Sequence, residues 1–243
     1  MTALGILYPG HFAEDDYPRI EQLLGSDIRV DVAHTAIDEG VYRPDALRET
    51  GSAGRLAEGI EALRLSGAEA VVWASTAGSF THGRQGAHDQ VRTLARTAGM
   101  PASSTSFGFE HALRELGVRR VAVAAAYPQE VTALFTDFLR DAGLEVAAAH
   151  SAGVTTAAQV ATWGEPEVLE LARAADTAEA EAVVLPDTAL HTASHLGVLE
   201  KELGKPVLTA NQVSVWEALR LTDRRVNAPG LGALFTREPI VQV

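Results

Sequence analysis

The strongest constraint on how this chain can fold is that it repeats itself. Glu69-Ala-Val-Val-Trp-Ala-Ser-Thr-Ala77 matches Glu181-Ala-Val-Val-Leu-Pro-Asp-Thr-Ala189 at both ends, EAVV and TA. Upstream, Val32-Ala-His-Thr-Ala36 resembles Ala148-Ala-His-Ser-Ala152, and Tyr8-Pro9 resembles Tyr127-Pro128, each pair closing an apolar run. Downstream, Gly99-Met-Pro101 leads to Ala112-Leu-Arg114 just as Gly204-Lys-Pro206 leads to Ala218-Leu-Arg220. Matches in the same order point to an internal duplication, which decides the fold before any single motif does. The halves divide near residue 116, giving 1–116 and 117–243. No Pro- or Ser-rich linker separates them, so close packing with exchange of a C-terminal helix is expected.

Within each half, apolar runs of β type alternate with helical patterns. The runs are Gly5 to Tyr8, Ile28 to Ala33, Ala70 to Trp73, Val118 to Ala125, Val146 to Ala149, Ala182 to Leu185 and Pro206 to Thr209. Between them, Arg55 to Leu65 places Leu56, Ile60 and Leu63 on one face and stops at Gly67. Val131 to Leu139 does the same with Val131, Leu134, Phe135 and Phe138 and stops at Gly143. This alternation predicts an α/β fold of two pseudo-symmetric halves, each a four-stranded parallel sheet with helices on both faces. The AVV runs are continuously apolar and read as central strands. Ile28-Arg-Val-Asp-Val32 alternates and reads as a strand nearer an edge.

Composition removes several function classes. The formal net charge is −12 with no basic run, so nucleic acid and anionic membrane are poor partners. There are no cysteines, so disulfides, thiolate metal sites and Cys nucleophiles are excluded. No basic-then-apolar leader and no membrane-length apolar run is present, which makes the cytoplasm the expected compartment. Dinucleotide and P-loop glycine signatures are missing around Gly78, Gly83 and Gly86, and no nucleotide or other cofactor is expected. A homo-oligomer is compatible with the sequence.

In parallel α/β sheets, ligands bind at the carboxyl ends of strands. The repeat puts four such ends around one cleft: Tyr8-Pro9 with Gly10, Ser75-Thr76, Tyr127-Pro128 and Asp187-Thr188. Ser75-Thr-Ala-Gly-Ser-Phe80 offers hydroxyls and the Thr76, Ala77 and Gly78 amides to a carboxylate or oxyanion. An ordinary Ser/Thr helix cap is the competing reading. Asp187 is either a desolvated carboxyl of raised pKa, fit for acid–base work, or the N-cap of a helix starting near Thr192. Tyr127 can donate to an anion or simply close its strand. His191 and His195 have i, i+4 spacing, but no third ligand is near, and no metal is expected. His191 instead reads as a polar contact to the cleft. His11 and His82 follow site segments, His34 and His150 read as structural or rim residues, and Arg43 reads as an exposed loop residue. Trp73 and Tyr42 are not placed by pattern.

At these residues the sequence resembles the aspartate/glutamate racemase superfamily, in its arylmalonate decarboxylase and maleate isomerase branch. The segments carrying the resemblance are Leu4 to Pro9, Thr76 to Phe80, Gly117 to Ala122 with Ala126-Tyr127, Glu200 to Pro206 with Trp216, and Pro229 to Phe235. The resemblance implies two flavodoxin-like halves with the active site between them and neither metal nor organic cofactor. It implies cysteine chemistry, with one proton-transferring cysteine per half in the racemases, only the second as proton donor in the decarboxylases and the first as nucleophile in the maleate isomerases. It also implies an oxyanion pocket that Thr76 and Tyr127 match. Here Ser75 and Asp187 stand at the two cysteine positions, Ala77 replaces a pocket hydroxyl and Thr188 adds one. The expectation is a cofactor-independent isomerase or decarboxylase acting on a small (di)carboxylate through an enolate-like intermediate. Asp187 would be its acid/base, with Ser75 and Thr76 beside it and Tyr127, Thr188, Ala77, Gly78, Pro9, Gly10 and His191 on the substrate. Decarboxylation, isomerisation, elimination and epimerisation all fit one acid/base. The alternative is a catalytically silent carboxylate-binding protein of the same fold.

Overall fold

The structure, a computed structural model, describes residues 1–25, 27–38 and 40–236, so the last positions of the second half lie outside the described residues. The first half runs β1 (Thr2–Pro9), α1 (Asp16–Leu24), β2 (Ile28–Thr35), α2 (Pro44–Thr50), α3 (Ala53–Glu58), α4 (Ile60–Ser66), β3 (Ala70–Trp73), α5 (Ala77–Phe80), α6 (Gly83–Ala98), β4 (Ala102–Ser104) and α7 (Thr105–Glu115). The second runs β5 (Arg120–Ala125), α8 (Gln129–Asp141), β6 (Glu145–Ser151), α9 (Ala157–Val160), α10 (Glu165–Ala175), β7 (Ala182–Leu185), α11 (Leu196–Leu203), β8 (Val207–Thr209) and α12 (Ala210–Leu221). Short 3-10 turns follow at Pro229–Leu231 and Ala233–Phe235.

All strand pairs are parallel, and the two sheets share one order: β2-β1-β3-β4 and β6-β5-β7-β8. The duplication and the two four-stranded parallel sheets read from the sequence are thus present. The fully apolar β3 and β7 are buried along their whole length, whereas β2 and β6, at the edges, alternate or stay half-buried. In this order the chain leaves β1 toward one edge and returns to build the other. The direction reverses between β1 and β3, and between β5 and β7. A crevice forms at such switch points beyond the carboxyl ends of the strands, and here it opens at Pro9, Ser75, Tyr127 and Asp187.

Two local departures from the sequence pattern have clear causes. The helix expected over Arg55 to Leu65 is broken into α3 and α4 at Gly59, where a Cβ would lie 2.4 Å from Leu7 Cδ1. The sheet approaches too closely there for any side chain. Strand β4 carries no apolar run, yet Ser103 and Ser104 are buried because each has a polar partner, Ser103 at Glu217 and Ser104 Oγ at Ser79 Oγ, 3.0 Å away.

Beyond β8, α12 packs back over β1, β3 and β4 of the first sheet and along α7. Glu217 of α12 is fully buried at that seam. It accepts from Arg220 at 2.7 Å and pairs with His111 of α7 at 3.0 Å, and these partners outweigh burial to hold its pKa below the usual carboxylate range. Among the described residues, no helix is long and apolar enough to cross a membrane.

The end of α2 is fastened directly to the Ser75 segment. Gln90 Nε2 donates to both the Gly51 and Gly78 carbonyls at 2.8 Å, and a Cβ on Gly51 would fall 2.1 Å from the Gly78 oxygen. Gly51→Ala therefore forces α2 away from α5. The expected loss is about 1–3 kcal/mol, read by urea unfolding.

Candidate active site

Asp187 follows the apolar run of β7, where Pro186 ends the strand, and its side chain is only 3% exposed. A carboxylate in that position loses most of its hydration. Two groups partly replace the lost water. The Ala189 N–H donates to Oδ1 at 2.9 Å, and the Tyr42 hydroxyl donates to both Oδ1 and Oδ2 at 2.9 and 2.7 Å. Burial is the larger effect, so the pKa is pushed up from 3.8 to about 6 despite both hydrogen bonds. The result is a carboxyl that changes protonation near neutrality.

Tyr42 comes from the loop after β2, and that loop is held by the other half. Val41 bridges Thr156, Tyr42 N–H donates to the Thr155 carbonyl at 2.8 Å, and Ala157 N–H donates to the Gly40 carbonyl at 2.9 Å. The Tyr42 ring stands edge-on to Tyr127, with centroids 4.9 Å apart. Burial and the adjacent Asp187 charge keep the Tyr42 hydroxyl protonated at any ordinary pH. It is a hydrogen-bond donor, not a base.

Ser75 follows β3 at the matching place in the first half. Its Oγ accepts the Gly78 N–H at 3.0 Å, which is the helix-capping role, and its own O–H remains free to donate. The Thr76 hydroxyl is fully buried and has no hydrogen-bond partner among the described residues. The Tyr127 hydroxyl donates to the Pro186 carbonyl at 3.1 Å, and the Tyr8 hydroxyl donates to the Thr188 carbonyl at 2.8 Å while accepting the Ala13 N–H at 3.0 Å. Two tyrosines thus pin the backbone on either side of Asp187.

Together these residues enclose a cavity of about 560 Å³. Pro9, Ser75, Ala77, Tyr127, Asp187 and Thr188 form one part of its wall, and the rest mixes apolar Phe12, Ile37, Val41, Leu47 and Ala157 with charged Asp38, Arg43, Asp45 and Glu49. Arg43 stands at the mouth, paired with Asp45 at 3.0 Å.

This chain is similar to known proteins over most of its length. A model of the arylmalonate decarboxylase family matches residues 47–235. The arylmalonate decarboxylase of Bordetella bronchiseptica is 32% identical over 178 residues, which is 71% of this chain and 73% of that enzyme. The chain belongs to the arylmalonate decarboxylase family. The maleate isomerase of Geobacillus stearothermophilus is 25% identical, over 56% of this chain and 55% of that one. Among solved structures, a Nocardia farcinica maleate cis-trans isomerase mutant with a covalently bound succinylcysteine intermediate superposes with a TM-score of 0.88. It is 19% identical and is covered to 99%, against 98% of this chain, so it establishes the shared fold.

In this family member the structure brings Pro9, Ser75, Ala77, Tyr127, Asp187 and Thr188 to the cavity wall. Gly10, Thr76 and Gly78 lie just behind it. Gly10 makes a left-handed turn (φ +69°) and donates to the Thr35 carbonyl at 3.0 Å, while the Gly78 N–H is taken by Ser75. His191 does not face the cleft. Its Nδ1 pairs with Asp15 at 3.0 Å, because the loop after Asp187 is drawn down onto the start of α1. The helix-cap reading of Asp187 also fails at Thr192, where no helix begins. Asp16 serves those amides, accepting from Thr192 N–H at 2.9 Å and Ala193 N–H at 3.2 Å.

Tyr42 and Asp16 are the site residues that sequence reasoning missed. Both reach partners more than a hundred positions away in the chain, Asp187 and Thr192 respectively, so no local spacing exposes them. The only signal at Tyr42 was an aromatic residue in a Gly/Pro-bounded loop.

The sign of the Asp187 shift gives a stability test. A carboxyl whose folded pKa is raised favours the native state when protonated, so its contribution is present below pH 4 and is lost as pH rises to about 6. Asp187→Asn abolishes that loss, about 3 kcal/mol for a shift of this size. Thermal unfolding at pH 4 and pH 7.5 should show the variant gaining on the parent protein at the higher pH. Tyr42→Phe removes a donor to the carboxylate and raises the Asp187 pKa by about one further unit, read from its carboxyl 13C titration.

Proposed function

We propose that this protein is a cofactor-independent decarboxylase of a small substituted malonate, with Asp187 as the proton donor to carbon. The observation that carries this reading is one buried carboxyl, titrating at about 6, at the inner end of the cavity. Decarboxylation asks for a single proton carrier. The bond from Cα to one carboxylate breaks, CO₂ leaves, and its electron pair passes into the remaining carboxylate as an enediolate. Asp187 then protonates Cα and is reprotonated from water.

The enediolate carries its charge on oxygen, so the site needs donors aimed at two oxygens. The Ser75 O–H, the Ala77 N–H and, just behind the wall, the unpartnered Thr76 hydroxyl are on one side, with the Thr188 hydroxyl on the other. A buried hydroxyl without a partner costs stability unless a ligand uses it, which favours Thr76 as one of these donors. Tyr42 holds Asp187 in place and lowers its pKa from the value burial alone would set. The apolar side chains of Phe12, Ile37, Val41, Leu47 and Ala157 in the lining suit the malonate substituent. A maleate isomerase relative has been captured as a succinylcysteine adduct. A chain without cysteine has no thiol for that route, and an unactivated Ser75 hydroxyl is a poor substitute.

The test is turnover of aryl- and alkylmalonates in D₂O, followed by proton NMR, with maleate and 2-hydroxy acids as controls. The expected product is the monocarboxylate carrying solvent deuterium at Cα, with maleate unchanged. Because Asp187 must be protonated in the free enzyme, kcat/KM should fall about tenfold per pH unit above about 6. A rate rising through pH 6 would instead identify Asp187 as a base and the reaction as isomerisation or epimerisation. Asp187→Asn should lose at least about a hundredfold in kcat. Ligand-induced stabilisation without turnover would mark a silent carboxylate-binding protein and sink the enzymatic reading.

A further inference from the structure

Gly10, in its left-handed turn, reverses the chain at the end of β1, and a Cβ there would come within 2.6 Å of Ile37 Cδ1. This turn folds His11 back over His34, the penultimate residue of β2. The two imidazole rings stack with centroids 4.0 Å apart and 29° between planes. Glu14, one turn further on, meets His11 Nδ1 at 3.0 Å. One ligating atom from each of His11, Glu14 and His34 lies within 4.8 Å of the others, and among the described residues this is the one group of three so arranged.

We propose that His11, Glu14 and His34 form a binding site for a borderline divalent transition metal ion such as Zn²⁺, set beside the cavity and not in it. Several features favour this over a plain surface ion pair. His34 Nδ1 lies 2.7 Å from the Gly10 carbonyl. That contact requires the proton on Nδ1 and leaves the Nε2 lone pair for a metal, the second-shell arrangement that metal-binding histidines use. The Tyr8 ring stands edge-on to His34 at 6.1 Å and fixes its plane. Two imidazoles and one carboxylate are a ligand set that zinc accepts, leaving a position for water. Donors around tetrahedral zinc sit about 3.4 Å apart. The cluster needs to contract by little more than 1 Å, and the His11 side chain, 71% exposed, is free to move that far.

Neither imidazole nor Glu14 lines the cavity, but Pro9 and Phe12 on the same segment do. A bound ion would tie the β1–α1 loop to the end of β2 and stiffen that wall. The site is independent of the decarboxylation proposed above.

Isothermal titration of the full, tag-free chain with ZnCl₂ in a non-chelating buffer at pH 7.5 tests the site directly. Cobalt absorption at equal stoichiometry reports the geometry. The expected result is one site per chain of micromolar affinity. His11→Ala, at an exposed position, and the near-isosteric Glu14→Gln should each weaken it at least tenfold. His195→Ala, whose ring pairs with Glu165 elsewhere, should leave it unchanged. No binding by the parent chain, or equal affinity in His11→Ala and Glu14→Gln, overturns the proposal.

Discussion

Holding the Asp187 carboxyl out of water is the constraint around which the rest of this structure is arranged. A carboxylate at the end of a strand buried on both faces loses its hydration, and only hydrogen bonds can offset that. The chain supplies one donor from its own turn, Ala189 N–H, and one from a side chain of the other half, the Tyr42 hydroxyl shared between both carboxylate oxygens. Fewer donors would push its pKa higher, and more would pull it back toward the ordinary carboxylate range. The balance leaves it at about 6, which is where proton delivery to carbon and recovery of the proton from water are both feasible.

That balance depends on keeping the two halves in register across the cleft. The segment after Asp187 is tied to the first half by Tyr8 at Thr188, by Asp16 at Thr192 and Ala193, and by Asp15 at His191. Asp16 is itself buried and accepts Asn211 Nδ2 at 3.0 Å, which brings the start of α12 into the same network. Burial raises the Asp16 pKa, yet its donors give it a structural use for its oxygens. In the opposite direction, the loop carrying Tyr42 is tied to residues 155–157. Each half therefore closes over a residue of the other, and the cavity wall belongs to neither sheet alone.

Much of this was legible in the sequence, and the reason is periodicity. The EAVV repeats fixed two buried central strands, and the residues after them mark strand ends whatever the packing. Identical sheet orders follow from duplication. What was not legible depended on distance or close approach. Strand β4 has no apolar pattern because its serines are satisfied by Ser79 of α5 and Glu217 of α12. Gly59 breaks a continuous helical stripe because Leu7 occupies the space a side chain would take. His191 has the spacing of a functional residue, but Asp15, on another element, decides its direction. Tyr42 is an unremarkable loop aromatic until the fold carries it to Asp187.

The duplication also explains why the two matching strand ends can differ so sharply in chemistry. Ser75 opens directly into α5, so its oxygen is spent on Gly78 N–H and the segment presents amides and hydroxyls. Asp187 enters a turn with no helix until Leu196, so no run of amides competes for its oxygens and the Ala189 N–H is its single backbone donor among the described residues. Had both halves kept a helix at this point, the carboxylate would sit at a helix N-terminus, where the aligned amides stabilise its ionised form and lower its pKa. It would then be a poor acid. The two strand ends therefore differ: one presents amides and hydroxyls, and the other carries a buried carboxyl of raised pKa. The decarboxylation proposed above, which generates an enediolate and then protonates it, needs both kinds of group at once.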